Sequence, residues 1–291
     1  MPSSEPTLAI DAGTELYGIF GNPVKHSLSP LIHNAMFKRF GMNAVYLAFE
    51  ISKESLGLAF EAIRALALRG VNLTIPFKEP AIDFIDEIPE DVDRCVGALN
   101  TVVNQNGRLI GFNTDGPGFL ASLRQDLGIN PEGKHTLVLG AGGAARGVAF
   151  ALARAHAEKI WIHNRTVSRA EGLAEYMETF FPDTAIEPLD SIERVRGQKV
   201  DLVVNATPCG MREGDPSPLD LRFLKQGAGA YDLIYNRPET AFLKQARQLG
   251  IPCANGIGML AAQAALSFEL WTGRREGVKE VMRETLKQCL L

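Results

Sequence analysis

The chain has 291 residues, 46% of them hydrophobic and 22% charged, with a formal net charge of −4, which is length and composition for two ordinary domains with real cores. The mild acidic balance leaves no polyelectrolyte footprint, so nucleic acid is not expected as a partner. No run of about 18 uncharged apolar residues is present to span a membrane. The four cysteines, Cys95, Cys209, Cys253 and Cys289, form no CxxC pair and no zinc-type spacing. With no basic-then-apolar leader at the N-terminus, they read as reduced thiols of a cytoplasmic protein.

The first third alternates short apolar runs with helical spacing. Residues 16–20 read as a strand. Ser29-Pro30 opens a helix carrying Leu31, Ile32, Ala35 and Met36, with Ser29 as its N-cap. Residues 45–49 are strand-like. Residues 54–69 place Leu56, Phe60, Ile63 and Leu66 at helical intervals, stopping at Gly70. Residues 71–75 are a strand whose alternation is expected to bury Val71, Leu73 and Ile75 and to turn Asn72 and Thr74 to the other face. Residues 96–103 and 108–112 flank Asn106-Gly107, a type I′ hairpin signal.

The middle third has a β-α-β-α rhythm. Strands are expected at 135–139, 159–163, 201–205 and 230–235, with helices at 168–181 and 239–249. That rhythm predicts a parallel sheet wound with helices. The tail, 257–271 and 276–290, is helical with no strand partner, so the chain is expected to return to its first domain.

Gly140, Ala141, Gly142, Gly143, Ala144 and Ala145 follow a predicted strand and open a predicted helix. This is the GxGxxA form of the dinucleotide fingerprint, in which glycines let the backbone approach a pyrophosphate lying on the helix N-terminus. At the end of the next strand, where NAD-binding proteins place an acid for the ribose 2′-hydroxyl, the chain has Asn164, Arg165 and Thr166, with Arg169 one turn on. Two guanidiniums and a hydroxyl suit a 2′-phosphate, so the expected cofactor is NADP.

Polar residues also stand in the first third where packing does not ask for them. Ser27 and Ser29 lie at a helix N-terminus, a natural carboxylate seat. Asn72 and Thr74 share a strand face, and Lys78 lies just past the strand. Asp115 follows Asn113-Thr114 and precedes Gly116-Pro117. His26 and His33 are seven apart, which is not a metal-ligand spacing, and they are expected to pack and hydrogen-bond near a helix start.

The motifs GNPVKHSLSPLIHNAMF (21–37), NLTIPFK (72–78), GALNT (97–101), GFNTDG (111–116), GAGGAARG (140–147), NRTVSRA (164–170), NATPCGM (205–211), YNRPET (235–240) and NGIGMLAAQAALSFELWTG (255–273) together resemble the shikimate dehydrogenase family from nearly one end of the chain to the other. Leu73 stands where the family often has Val, and Arg237 intervenes before Pro238 in the loop after Tyr235. The resemblance implies an α/β fold with an N-terminal substrate domain and a Rossmann-like, doubly wound NADP domain, the C-terminal helices returning to the first. The expected bounds are 1–115 with 256–291 for the substrate-binding and catalytic domain, and 116–255 for the NADP domain.

It further implies Ser27 and Ser29 on a substrate carboxylate, with Asn72, Thr74, Lys78, Asn100, Asp115, Tyr235 and Gln263 on ring hydroxyls and carbonyl, and Lys78 with Asp115 as the catalytic pair. Thr207, Leu233, Gly256 and Met259 match cofactor positions on the nicotinamide side, and Asp91 matches an acid beside the cofactor. The implied reaction is the reversible reduction of 3-dehydroshikimate to shikimate by NADPH, a step of aromatic amino-acid biosynthesis. No metal is required, and the chain is expected to be a monomer or homodimer. Two alternatives stay open: a dual quinate/shikimate dehydrogenase, and a catalytically silent NADP-binding regulator on the same fold.

Overall fold

The computed structural model describes residues 10–89, 95–225 and 227–290. The chain divides into two compact units. One holds the residues up to Thr114 together with Ala264–Cys289, and the other holds Asp115–Gln263.

The first unit is built on a five-stranded sheet of order β2-β1-β3-β4-β5. Its strands are β1 (Glu15–Gly21), β2 (Ala44–Glu50), β3 (Gly70–Leu73), β4 (Thr101–Gln105) and β5 (Arg108–Phe112). The first three run parallel; β4 and β5 close the sheet as an antiparallel hairpin. Asn106 and Gly107 both have positive φ, 53° and 93°, as a type I′ turn requires. Helices α1 (Ser29–Arg39) and α2 (Leu56–Ala65) connect the parallel strands. Phe60 and Ile63 of α2 pack with Val71, Leu73 and Val102 in one apolar cluster.

Four local expectations are corrected. Leu28, not Ser29, occupies the N-cap of α1, with no side-chain cap; Ser29 sits one place inside the helix and its N–H donates to Ser27 Oγ at 3.2 Å. Helix α2 ends at Ala65, because Ala67 turns left-handed (φ 52°) and Leu68 N–H bonds back to Ile63 C=O at 3.0 Å. That six-to-one closure ends a helix whatever apolar spacing follows, and it leaves Leu66 exposed. Ile75 is 70% exposed, since the strand stops at Leu73 and a turn closed by Phe77 N–H on Thr74 C=O (2.8 Å) ends the alternation. Strand β4 begins at Thr101 and not near 96, because Gly97 takes φ 65°, outside any extended strand.

Two C-terminal helices, α7 (Ile257–Thr272) and α8 (Val278–Leu290), follow the second unit, and the division between the units falls inside α7. The later part of α7 lies on β3. Trp271 donates from its indole N–H to Val102 C=O at 3.0 Å and fills the space over Gly70, where a Cβ would come within 2.1 Å of Nε1. His33 belongs to the same aromatic cluster, stacked on Tyr46 with ring centroids 4.5 Å apart. Its expected hydrogen bonds are absent: both ring nitrogens are buried without a partner among the described residues. Burial holds the imidazole down at about 3.

The second unit is a six-stranded, wholly parallel sheet of order β11-β10-β9-β6-β7-β8. Its strands are β6 (His135–Leu139), β7 (Lys159–His163), β8 (Ala185–Leu189), β9 (Leu202–Asn205), β10 (Gly229–Asp232) and β11 (Cys253–Ala254). The chain steps outward from β6 to β8, then returns to lay β9, β10 and β11 on the other side. That reversal between β6 and β9 is the switch point where open α/β sheets take ligands. Helices α3 (Asp115–Leu127), α4 (Gly143–Arg154), α5 (Val167–Glu178) and α6 (Ala241–Gln248) complete the unit. Tyr235 lies beyond β10, which ends at Asp232. All four cysteines are thiols, and among the described residues no helix is long and apolar enough to cross a membrane.

Candidate functional site

In the second unit, β6 delivers Gly140 to the switch point. Gly140 has φ 114° and its N–H donates to His163 C=O at 2.7 Å, tying it to the end of β7. A Cβ there would meet Ala206 C=O at 2.9 Å, so only glycine lets the turns after β6 and β9 close on each other. Ala141 and Gly142 carry the turn into α4, whose N-cap is the extended Gly142 with no side-chain cap. The first-turn N–H groups of Gly143 and Ala144 are thus presented as a seat for an anion.

The residues read as selecting the 2′-phosphate follow β7 directly, beside this turn. Arg165, Thr166 and Arg169 are exposed, and Asn164 is half-buried with its Nδ2–H on Thr166 C=O at 2.8 Å. Thr166 is the N-cap of α5. A glycine cradle with two arginines at the end of the next strand fits a phosphorylated dinucleotide.

The loops after β9, β10 and β11 are knitted together. Leu233 N–H donates to Asn205 C=O at 2.9 Å, and Gly256 packs so tightly that a Cβ would lie 2.1 Å from Leu233 C=O. Beneath them lies a buried carboxylate. Asp232 Oδ1 accepts from Asn205 Nδ2 (3.0 Å) and from Ile234 N–H (3.1 Å), while Oδ2 accepts from the Thr240 hydroxyl at 2.6 Å. Burial pushes Asp232 up to about 6, and its three hydrogen bonds pull the other way. Asn205 Oδ1 in turn accepts from Thr207 N–H (3.1 Å) and the Thr207 hydroxyl (2.7 Å). Tyr235 follows on the same loop, its phenol raised by burial. Met259 is buried in the first turn of α7.

In the first unit, Asn72 and Asn100 meet inside a buried hydrogen-bond lattice. Asn72 Oδ1 accepts from the Tyr46 hydroxyl at 2.7 Å; its Nδ2 reaches Asn100 C=O (3.0 Å), Thr101 Oγ1 (3.1 Å) and Ser267 Oγ (3.1 Å). Asn100 Oδ1 accepts from Thr114 N–H at 2.7 Å, and its Nδ2 donates to Thr114 Oγ1 at 2.8 Å. Every member is less than a tenth exposed. Lys78 is anchored through its backbone: Leu99 N–H donates to Lys78 C=O at 2.7 Å, immediately before Asn100. Ser27 and Ser29 stand together at the start of α1, joined by the bond from Ser29 N–H to Ser27 Oγ. Thr74 is half-buried in the turn after β3.

Asp115 and Gln263 belong to the second unit. Asp115 is buried in the first turn of α3, and Gln263 lies on α7 against Gly118, where a Cβ would sit 2.8 Å from the Gln263 backbone nitrogen. Asp91 lies outside the described residues. The supporting side chains Tyr46, Thr101, Thr114 and Ser267, and likewise Asn205, Asp232 and Thr240, were not singled out from sequence. A signal was there for two of them: Asn205 and Asp232 end otherwise apolar buried strands, where an unpaired polar group would be costly.

Three family models match the chain in order. They are the shikimate dehydrogenase substrate binding domain over residues 19–102, shikimate/quinate 5-dehydrogenase over 122–210, and the shikimate 5′-dehydrogenase C-terminal domain over 256–287. A protein of Methanopyrus kandleri named shikimate dehydrogenase (NADP(+)) is 44% identical over 288 residues, 98% of this chain and 99% of that protein. Its namesake from Caldanaerobacter subterraneus subsp. tengcongensis is 43% identical over 91% of this chain and 94% of its own. The crystal structure of shikimate 5-dehydrogenase from Thermus thermophilus in complex with NADP(H) and shikimate is 40% identical. It has a TM-score of 0.84 and covers 95% of this chain and 100% of that one. With models spanning both units and identity sustained along nearly the whole length, the chain belongs to the shikimate dehydrogenase family.

Proposed function

We propose that the protein is an NADP-dependent shikimate dehydrogenase, catalysing the reversible reduction of 3-dehydroshikimate to shikimate. The observation that carries this reading is the buried Asn72–Asn100 lattice, next to which the Lys78 backbone is tied through Leu99, a rigid polar frame suited to supporting a site for a small polyhydroxylated acid. Ser27 and Ser29 take the carboxylate; Asn72, Thr74, Asn100, Tyr235 and Gln263 take the hydroxyls and the carbonyl. Gly140–Ala144, Asn164, Arg165, Thr166 and Arg169 hold NADP, with Thr207, Leu233, Gly256 and Met259 toward its nicotinamide. Bound there, the cofactor supplies or accepts the hydride.

The protein's own task is to orient the ring and manage one proton. In the reducing direction Lys78 donates a proton to the forming alkoxide, and Asp115 is the other member of the catalytic pair that the family resemblance implies. Oxidation releases that proton, so alkaline pH favours the oxidising direction. On this reading residues 1–115 with 256–291 serve the substrate, Gly256 and Met259 excepted, and 116–255 serve NADP, Tyr235 excepted, in the cytoplasm, where thiols stay reduced.

The test is a spectrophotometric assay of shikimate and quinate, each with NADP and NAD. Turnover of shikimate with NADP well above the other three combinations is expected. Comparable turnover of quinate would move the assignment to a dual quinate/shikimate dehydrogenase. No turnover by a protein that still binds NADP would make it a silent regulator.

A further inference from the structure

Asn205 is fully buried, and each side of its amide faces a partner of fixed hydrogen-bond character. The nitrogen donates to Asp232 Oδ1 (3.0 Å) and to Cys209 C=O (3.1 Å), a carboxylate and a carbonyl that can only accept. The amide is therefore locked, with Oδ1 toward Thr207. There it accepts from the Thr207 backbone N–H and from the Thr207 hydroxyl at 2.7 Å. Having no hydrogen of its own, Oδ1 commits the single hydroxyl hydrogen of Thr207. Thr207 Oγ1 also accepts from Cys209 N–H at 3.2 Å, which leaves it one lone pair and nothing to donate. Its methyl lies 3.5 Å from where a Cβ of Gly140 would sit, so this polarised hydroxyl stands at the switch point between β6 and β9.

We infer that Asp232 and Asn205 are positioning residues that set Thr207 as an acceptor for a hydrogen-bond donor in the nicotinamide-riboside half of the cofactor. The inference rests on the reading that the loop after β9 serves that half. Two donors exist there, the carboxamide N–H and the ribose hydroxyls. Asp232 acts at a distance: its carboxylate accepts from three groups and obliges Asn205 to point its nitrogen inward. Thr240, which spends its hydroxyl hydrogen on Asp232 Oδ2, also accepts from Leu243 N–H at 3.2 Å as the N-cap of α6, fixing the carboxylate from behind.

Calorimetric titration at pH 8, where Asp232 is ionised, tests this with three probes: NADP, its 3-acetylpyridine analogue (a ketone without the amide N–H) and adenosine 2′,5′-bisphosphate. Thr207→Val should weaken NADP about tenfold, the Thr207→Ser variant should bind as wild type, and all three proteins should hold the bisphosphate equally. A penalty that vanishes with the acetylpyridine analogue assigns the donor to the carboxamide; one that persists assigns it to the ribose. Asn205→Ala should weaken NADP to a similar extent, and Thr207→Val should add little in that background, because both act on one bond.

Additive losses, a Thr207→Val variant that binds NADP as wild type does, or an equal loss for the bisphosphate would overturn the inference. If Asn205→Ala does not fold, the two Thr207 variants still decide. Failure of the wild-type protein to bind NADP at all would instead remove the functional reading beneath it.

Discussion

Gly70→Ala is a small change that the structure makes expensive. The added methyl would lie 2.1 Å from Trp271 Nε1, 2.4 Å from Cδ1 and 2.6 Å from Cε2, all atoms of one rigid ring. That ring cannot swing aside cheaply, since its centroid lies 5.4 Å from that of Tyr17 and 5.1 Å from that of His33. Over-packing of this kind costs about 1–3 kcal/mol, and losing the indole bond to Val102 C=O adds about 1 kcal/mol. A destabilisation of about 3 kcal/mol is expected, read as a lower urea midpoint at unchanged slope. Trp271→Phe removes the clashing edge, so the double variant should be more stable than the sum of the single losses predicts. A Gly70→Ala protein within about 0.5 kcal/mol of wild type, or strictly additive losses, would refute the packing argument.

Lys78→Ala should lower kcat by about 10²- to 10⁴-fold, the usual range for a proton-transfer group, with little change in NADP affinity; steady-state kinetics and titration check both. The Arg165→Ala/Arg169→Ala double variant should weaken NADP by about a hundredfold while leaving NAD nearly unaffected. The loss should shrink as salt rises, and KM values for both cofactors at two ionic strengths would expose the arginines as bystanders if the ratio stays put. His33→Phe should flatten the acid limb of the stability curve. The folded imidazole is held at about 3, against about 6.5 in the unfolded chain, so below about 6.5 the unfolded state takes a proton the folded state refuses. Stability present above that pH therefore drains as pH falls, by up to about 1.4 kcal/mol per unit. Parallel curves for the two proteins between pH 7 and pH 4.5 would show that His33 is not the cause.

Several elements could be read to the residue. Strands β5, β6 and β7 stand where their apolar runs begin and end, and the hairpin turn at Asn106-Gly107 follows from two residues that accept positive φ. Others were hidden by chemistry that points elsewhere. Strand β8 carries Glu187 and Pro188, which suit only the sheet edge it occupies, and α3 opens with Asp-Gly-Pro-Gly, the composition of a turn. Ile75 looked like the third buried residue of an alternating strand, but a turn one residue earlier cancels the alternation. Asn72 stood out because packing did not require it, and Asn100 only through the family resemblance. What orients them could not be seen: Ser267 reaches Asn72 across 195 residues of chain, and Tyr46 looks like any strand aromatic. Local sequence carries no record of such long-range pairings.

The close backbone approach at Gly118 bears on how this protein could be made more robust. Glycine inside a helix is an obvious target, because alanine restricts the unfolded chain and is worth about 1 kcal/mol where the site has room. Gly172, within α5, has nothing within 4 Å of the place a methyl would take, so the exchange there should raise the melting temperature. Gly118, within α3, meets the Gln263 backbone nitrogen at 2.8 Å, and Gly258, within α7, meets Asp126 Oδ2 at 2.2 Å and Ser122 Oγ at 2.3 Å. The same exchange at either of those positions should lower it. Helix propensity alone would rank the three alike; the neighbour standing where the methyl would go decides the sign.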